Sequence, residues 1–344
     1  MEEKEFRGKV TLMNFLCCVL VIWHHSGNAD LFAGAHGVSP ALDFFENTLT
    51  FAVIRADIPA FFMLSGYLFF RNFTWAGLPG KWRRRVRSLL IPYLFWNLFW
   101  YFARLLASGF GPAASLLGLA PVPADARTLI RAAFCYAYNP VFWFMYQLIL
   151  LVILAPVIRF FLLSRWSSVL YGLFLLWVFL AWPALPIVNQ DALIYYSLGA
   201  FWAVWGKEAV EREDSPRRAL AGLFGVFLSL ILCLLNLRTG RVQFLVAYLA
   251  LLPQAVWLLL PLNAGEIAGK SPWMACTFFI YATHFVLVRA INKVGGRIFP
   301  GSTVAGFLFY LAMPAVVIAI VWAAARWLKK HLPGVWLVVN GNRK

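Results

Sequence analysis

The chain is 344 residues long, 62% hydrophobic and 17% aromatic, with 13% charged residues and a mean hydropathy of +0.76. A soluble domain carries about 25% charged residues, so an ordinary soluble globular domain is excluded. The formal net charge of +16 raises nucleic acid as a partner, but the Lys and Arg fall in short clusters between apolar runs, where membrane-topology signals belong, and nucleic acid is set aside.

A helix crosses the hydrocarbon core with about 20 apolar residues, and apolar runs of that order recur from Val10 to Leu328. They predict an all-α, polytopic membrane protein of about ten transmembrane helices in one bundle, at roughly 10–27, 44–70, 88–107, 140–160, 166–182, 191–206, 219–236, 242–261, 273–292 and 304–327. The opening MEEKEFRGK is charged and no small-residue cleavage site follows it, so the first run is expected to be a retained span. Ten spans place both termini on one side. With segments 1–9, 71–87, 159–165, 207–218, 263–272 and 326–344 sharing that side, it holds 21 of the 30 Lys and Arg. Cationic loops stay in the cytoplasm, so both termini are expected there, as short tails of a single domain covering residues 1–344. The long outer loop, about 108–139, is rich in Ala, Gly and Pro and is expected at the membrane interface. No internal repeat is visible, which argues against a transporter built on inverted repeats.

An ionisable group inside a span costs about 2.5 to 3.5 kcal/mol on insertion scales, which makes each one a functional candidate. His24 and His25 close the first span. His25 lies eleven residues after Asn14, about three helical turns and ~16 Å along the axis, so the two share a face. Imidazole titrates near neutrality and suits removal of a proton from a hydroxyl; interfacial anchoring is the plainer alternative. Arg55 and Asp57 interrupt the second span, with Pro59 expected to loosen it. They read as a charged pair beside a polar pocket, or as a structural ion pair to another span. Lys81, Arg83, Arg84, Arg85 and Arg87 put five cations into seven residues at the start of the third span. Positive-inside anchoring accounts for part of this, and the density suits a phosphorylated cytoplasmic ligand such as coenzyme A or a nucleotide sugar. Trp143, Tyr146 and Gln147, and Tyr281 with His284, set polar tips at one-turn spacing inside spans. Packing explains most such stripes, but a neutral His in lipid needs a partner, so His284 is expected to line a polar cavity. Cys17, Cys18, Cys135, Cys233 and Cys276 show no metal or disulfide spacing, and no metal site is expected.

Several phrases, taken in order, resemble those of the integral-membrane acyltransferase family 3, bacterial proteins that move acetyl or related groups onto glycan hydroxyls. LMNFLCCVLVIWHHSG matches the family's opening, with His25 at its histidine. IPAFFMLSGYLFF matches the second-span phrase through Pro59, Phe61, Phe62, Ser65 and Gly66. KWRRRVRSLLIPYLFWN carries the family-like Arg-x-x-Arg as Arg84 and Arg87, and FWFMYQLILLVILAPVI, YYSLGAFWAV and FFIYATHF look like its later segments. The resemblance runs nearly end to end. Three positions depart from it: the family's first-span Arg falls at Asn14, the Asp often found three residues earlier is Thr11, and an Arg-Asp after the Trp-Phe signature is Tyr146-Gln147.

What the resemblance implies is a multi-pass enzyme of the bacterial inner, or cytoplasmic, membrane, with no permanently bound cofactor and acyl-CoA, acetyl-CoA above all, as donor substrate. His25 would be the catalytic base on a glycan or lipid-linked sugar hydroxyl. Arg84, Arg87, Arg85 and Lys81 would hold acyl-CoA, with Lys9 or Arg7 replacing the cation missing at Asn14. Asn14, Arg55, Asp57, Trp143, Tyr146, Gln147, Tyr281 and His284 would line or orient the pocket. A variant has Cys17 or Cys18 relay the acyl group, although apolar burial blunts a thiol. Two alternatives stay open: a transporter or flippase for an amphipathic substrate, and a catalytically weak glycan-binding relative. The oligomeric state is not legible.

Overall fold

The computed structural model describes residues 1–261 and 263–341, and among these every regular element is helical. Arg343 and Lys344, counted above on the cytoplasmic side, lie outside the described residues. Eight helical stretches are long and apolar enough to cross a membrane: Glu3–His24, Pro40–Phe70, Leu78–Gly109, Pro140–Phe161, Pro216–Thr239, Val242–Leu259, Pro272–Ile298 and Thr303–His331. The other two expected spans are the helices Arg165–Ala181 and Gln190–Trp205, at 17 and 16 residues, short of the length a straight crossing needs. The chain divides into two compact units.

The first unit comprises Met1–Leu20, Phe51–Lys81 and Gln147–Ala275. Its helix Pro216–Thr239 buries Gly222, Gly225, Ser229, Cys233 and Asn236 and exposes Leu220, Leu223, Phe224, Phe227 and Leu234. Small residues inward and large apolar ones outward is the pattern of a helix packed on its neighbour by close approach and wrapped in lipid. Its neighbour is Val242–Leu259, where Gly225 meets Ala255 and Gly222 meets Leu259. Helices Asp57–Phe70 and Gln190–Trp205 approach still more closely, with Gly66 against the Tyr196 backbone and Gly199 against the Met63 backbone. The second span is broken by a 3-10 turn at Ile54–Ala56, and Pro59 sits in the first turn of the helix that restarts at Asp57, where its missing N–H costs nothing.

Segments assigned to one side by charge alone meet in this unit. Arg71 bridges Glu211 at 2.8 Å and Glu3 at 2.7 Å, Lys9 pairs with Asp214 at 2.5 Å, Lys207 donates to Asn72 at 2.6 Å, and the Gly265 N–H donates to Glu5 at 2.9 Å. Burial alone would raise the Glu211 carboxyl pKa, but hydrogen bonds from Arg71 and Tyr67 outweigh it and hold the group below the ordinary carboxylate range. The same bond, with that to Glu3, raises the Arg71 guanidinium.

The second unit comprises Val21–Thr50, Trp82–Tyr146 and Cys276–Lys344. Helix Thr277–Ile298 packs on Thr303–His331, and the short helix Pro333–Val339 docks through Trp336 on Phe279 and through the Val339 carbonyl on the Trp96 indole at 3.0 Å. The segment 108–139 folds back along the helix Ile91–Gly109. Tyr93, Asn97 and Tyr101, one turn apart, donate to the carbonyls of Phe134, Ala133 and Pro123 at 2.8, 3.2 and 3.0 Å. Three hydrogen bonds, that of Asn97 buried and the two tyrosine bonds part-buried, hold the segment on that helix. Asp125 caps its helix Ala126–Phe134, and the Thr128 N–H lowers the Asp125 carboxyl pKa.

Candidate active site

The first helix ends at His24, and the turn that follows is bound to three other helices of the second unit. The His25 and Ser26 N–H groups donate to Ile22 and Trp23. The Asn28 N–H donates to both carboxylate oxygens of Glu46, at 3.0 and 3.1 Å, and Ala29 adds a third bond at 3.3 Å. The Asn28 amide donates to the Gly306 carbonyl at 3.1 Å, and Asn292 donates to the Ser26 carbonyl at 2.9 Å. Glu46, 7% exposed, thus holds the backbone immediately behind His25. Glu46→Gln would turn an NH2 group toward N–H donors. The expected outcome is a loss of about 1 to 2 kcal/mol of stability, read as a lower melting temperature of the variant in detergent.

His25 belongs to a file of rings. Tyr93 stacks on Phe142 at 6.0 Å between centroids, Phe142 on Tyr281 at 5.4 Å, Tyr281 meets His284 at 6.0 Å, His284 meets His25 at 5.2 Å, and His25 stacks on His24 at 5.3 Å. The Tyr281 hydroxyl donates to the Val141 carbonyl. His284 is fully buried, with Nδ1 2.7 Å from the Tyr281 carbonyl. A carbonyl only accepts, so Nδ1 carries the proton and Nε2 presents a lone pair. That Nε2 has no hydrogen-bond partner among the described residues. A buried acceptor left unpaired costs about 1 to 3 kcal/mol; His284, expected to line a polar cavity, packs behind His25 and is not among the residues that line the His25 cavity.

His25 lines a cavity of about 430 Å³ together with Asn28, Asp43, Glu46, Arg289, Asn292 and Lys293. Mixed carboxylates, amides and cations around such a volume suit a ligand that both donates and accepts many hydrogen bonds, as a sugar does. The Phe285 ring stands edge-on to His25 at 5.1 Å and carries the Arg289 guanidinium at 5.4 Å.

The other expected residues are distributed as follows. Arg84 and Arg87 are exposed, make no ion pair among the described residues, and do not line the His25 cavity. The helix runs continuously through them, so their backbone N–H groups are spent internally and only the guanidinium groups remain for an anion, a correction to the helix-start picture. Lys81, expected beside them, instead donates to the Phe69 and Arg71 carbonyls at 2.6 and 3.1 Å and caps the preceding helix. Arg85 is half-buried. Tyr146 contacts Tyr136 at 5.5 Å and Trp143 is half-buried. Asn14, Arg55, Asp57 and Gln147 belong to the first unit. There Arg55 is exposed over the Phe51 ring while Asp57 is 1% exposed and accepts from the Ile58 N–H. Gln147 accepts from the Asn189 N–H at 3.0 Å and Asn14 is half-buried. The proposed substitutes for the missing cation are engaged: Lys9 is buried on Asp214, and Arg7 pairs with Glu3.

Sequence reasoning missed Glu46, Asn28, Arg289 and Asn292. The available signal was the same one that picked out His284, since Glu46, Arg289 and Asn292 lie in or beside predicted spans, where polar groups are expensive.

The chain matches acyltransferase family 3, described as an acyltransferase domain, over residues 8–326. It is 22% identical over 363 aligned residues to the succinoglycan biosynthesis protein ExoH of Rhizobium meliloti (strain 1021), covering 98% of this chain and 92% of that protein. No solved structure matches the chain.

Proposed function

The chain belongs to acyltransferase family 3, and from that premise we propose that it transfers an acyl group, acetyl in the simplest case, from cytoplasmic acyl-CoA to a hydroxyl of a glycan or lipid-linked sugar at a bacterial inner membrane. The likeness to a succinoglycan biosynthesis protein supports a glycan acceptor. The observation that carries the reading is the half-buried His25 at a polar cavity, its ring set against that of buried His284, whose Nε2 has no hydrogen-bond partner among the described residues.

In this reading the acceptor sugar occupies the cavity and His25 takes the hydroxyl proton as the oxygen attacks the thioester carbon. The oxyanion draws on the Arg289 guanidinium of the cavity wall, since the donors of Asn28 are already engaged. The carbon–sulfur bond then breaks, and the departing thiolate takes the proton from the His25 imidazolium, returning His25 to its neutral form. Arg84 and Arg87, exposed and uncommitted, hold the donor's phosphates, while the long pantetheine arm allows them to sit outside the cavity.

The test is transfer of labelled acetyl from acetyl-CoA to envelope glycan in membranes carrying the wild-type chain or Arg84→Gln/Arg87→Gln. Remote phosphate contacts contribute uniform binding, so the double variant is expected to raise acetyl-CoA KM about tenfold or more with kcat little changed. An unchanged KM removes the donor site from these arginines, and no transfer by wild type with acetyl-CoA removes the donor class.

A further inference from the structure

We propose that the first unit binds an anionic phospholipid of the surrounding leaflet, with the headgroup phosphate on Arg218 and part of one acyl chain in the adjoining groove. The Arg218 side chain is 13% exposed. Its Nη1 donates to the Ala209 carbonyl at 2.7 Å, but Nε and Nη2 are buried without a hydrogen-bond partner among the described residues. Asp214 Oδ1 stands 3.9 Å from Nε, beyond hydrogen-bond length, because the other oxygen of that carboxylate is taken by Lys9 at 2.5 Å. Two cations, one of them only 1% exposed, therefore share one carboxylate. The neighbouring ion cluster does not compensate, since Arg71 and Arg7 face Glu3 and Glu211 in balance. A buried net positive charge is costly until an anion meets it. The Nε–Nη2 edge of a guanidinium holds two oxygens side by side, and Arg218 stands in the first turn of Pro216–Thr239, whose dipole favours an anion at that end.

Arg218 also lines a groove of about 220 Å³ whose other walls include Met63, Leu64, Trp202, Pro253 and Trp257. The Trp202 and Trp257 N–H groups donate to Gln254 and to the Val210 carbonyl at 2.8 and 3.3 Å, so both indoles turn satisfied, apolar surface to the groove. An anion fork beside an apolar slot selects an amphiphile. A single free fork suits one phosphate, whereas acyl-CoA brings several. The groove walls are helices that include the span Val242–Leu259, which places a leaflet lipid within reach.

The experiment is native mass spectrometry of the full chain in detergent, titrated with phosphatidylglycerol and phosphatidylethanolamine of identical acyl chains. Both phosphates can meet the Arg218 fork, but the ethanolamine ammonium would add a cation beside Lys9 and Arg218, which share one carboxylate, so wild type is expected to favour phosphatidylglycerol about tenfold. Arg218→Gln should erase the preference, Leu64→Trp should fill the groove and weaken both lipids, and Lys270→Gln, which removes an exposed cation paired with Glu266, should change nothing. Should Arg218→Gln fail to fold, Leu64→Trp must by itself lower phosphatidylglycerol retention about tenfold. The proposal is overturned by equal retention of the two lipids in wild type or by a preference that survives Arg218→Gln. Displacement of the lipid by inorganic phosphate at equal concentration, or by palmitoyl-CoA below it, overturns it in favour of a free anion or of the acyl donor.

Discussion

Replacing His25 by alanine is expected to lower acyl transfer by about 10² to 10⁴, the range that a positioned general base contributes, while expression and membrane insertion stay near wild type. His24→Ala should cost less than about tenfold, because His24 stacks on His25 without lining the cavity. His284→Phe separates two roles of the ring file. It keeps an aromatic ring against His25 at the 5.2 Å contact but removes the unpartnered nitrogen. The expected result is a kcat loss smaller than that of His25→Ala, together with an altered pH profile, since the imidazole facing the base is gone. The measurement is turnover across pH on purified protein. Activity that survives without His25, or equal losses at His24 and His25, would falsify the assignment of the base.

The largest expected effect on stability lies in the first unit. A Cβ at Gly199 would stand 2.0 Å from the Met63 carbonyl oxygen, and one at Gly66 would stand 2.2 Å from the Tyr196 carbonyl oxygen. The two glycines lie on facing helices and each receives the other helix's backbone, so neither clash can be relieved by a rotamer change. Gly199→Leu or Gly66→Leu should therefore cost about 3 kcal/mol or more, read as a clear fall in the melting temperature in detergent and in the yield of folded protein. Gly172→Ala, on a helix face with nothing within 4 Å, should be neutral or slightly stabilising. A neutral Gly199→Leu would show that the two helices are not held at this separation.

The helical content, the long spans and the grouping of cationic segments were legible in the chain, because each depends on local composition. A run of about 20 apolar residues is long enough for the hydrocarbon core whatever it packs against, and Lys and Arg mark a side without reference to a partner. The family phrases likewise put His25 and the Arg84/Arg87 pair in view. Lys81 shows the limit of that reading: it belongs to the same cationic run as Arg84, yet it is spent on the carbonyls of Phe69 and Arg71. Glu46 and Asn28 are 18 residues apart, and Asn28 and Asn292 are 264 apart, so no periodicity within one helix connects them. The same holds for Lys9 with Asp214 and for Gly66 with Tyr196. Composition and spacing marked the stretches long and apolar enough to cross a membrane and the residue types able to do chemistry. Only the tertiary structure decided which of those residues meet, because a buried polar group takes its role from the partners that satisfy it, and those partners come from distant parts of the chain.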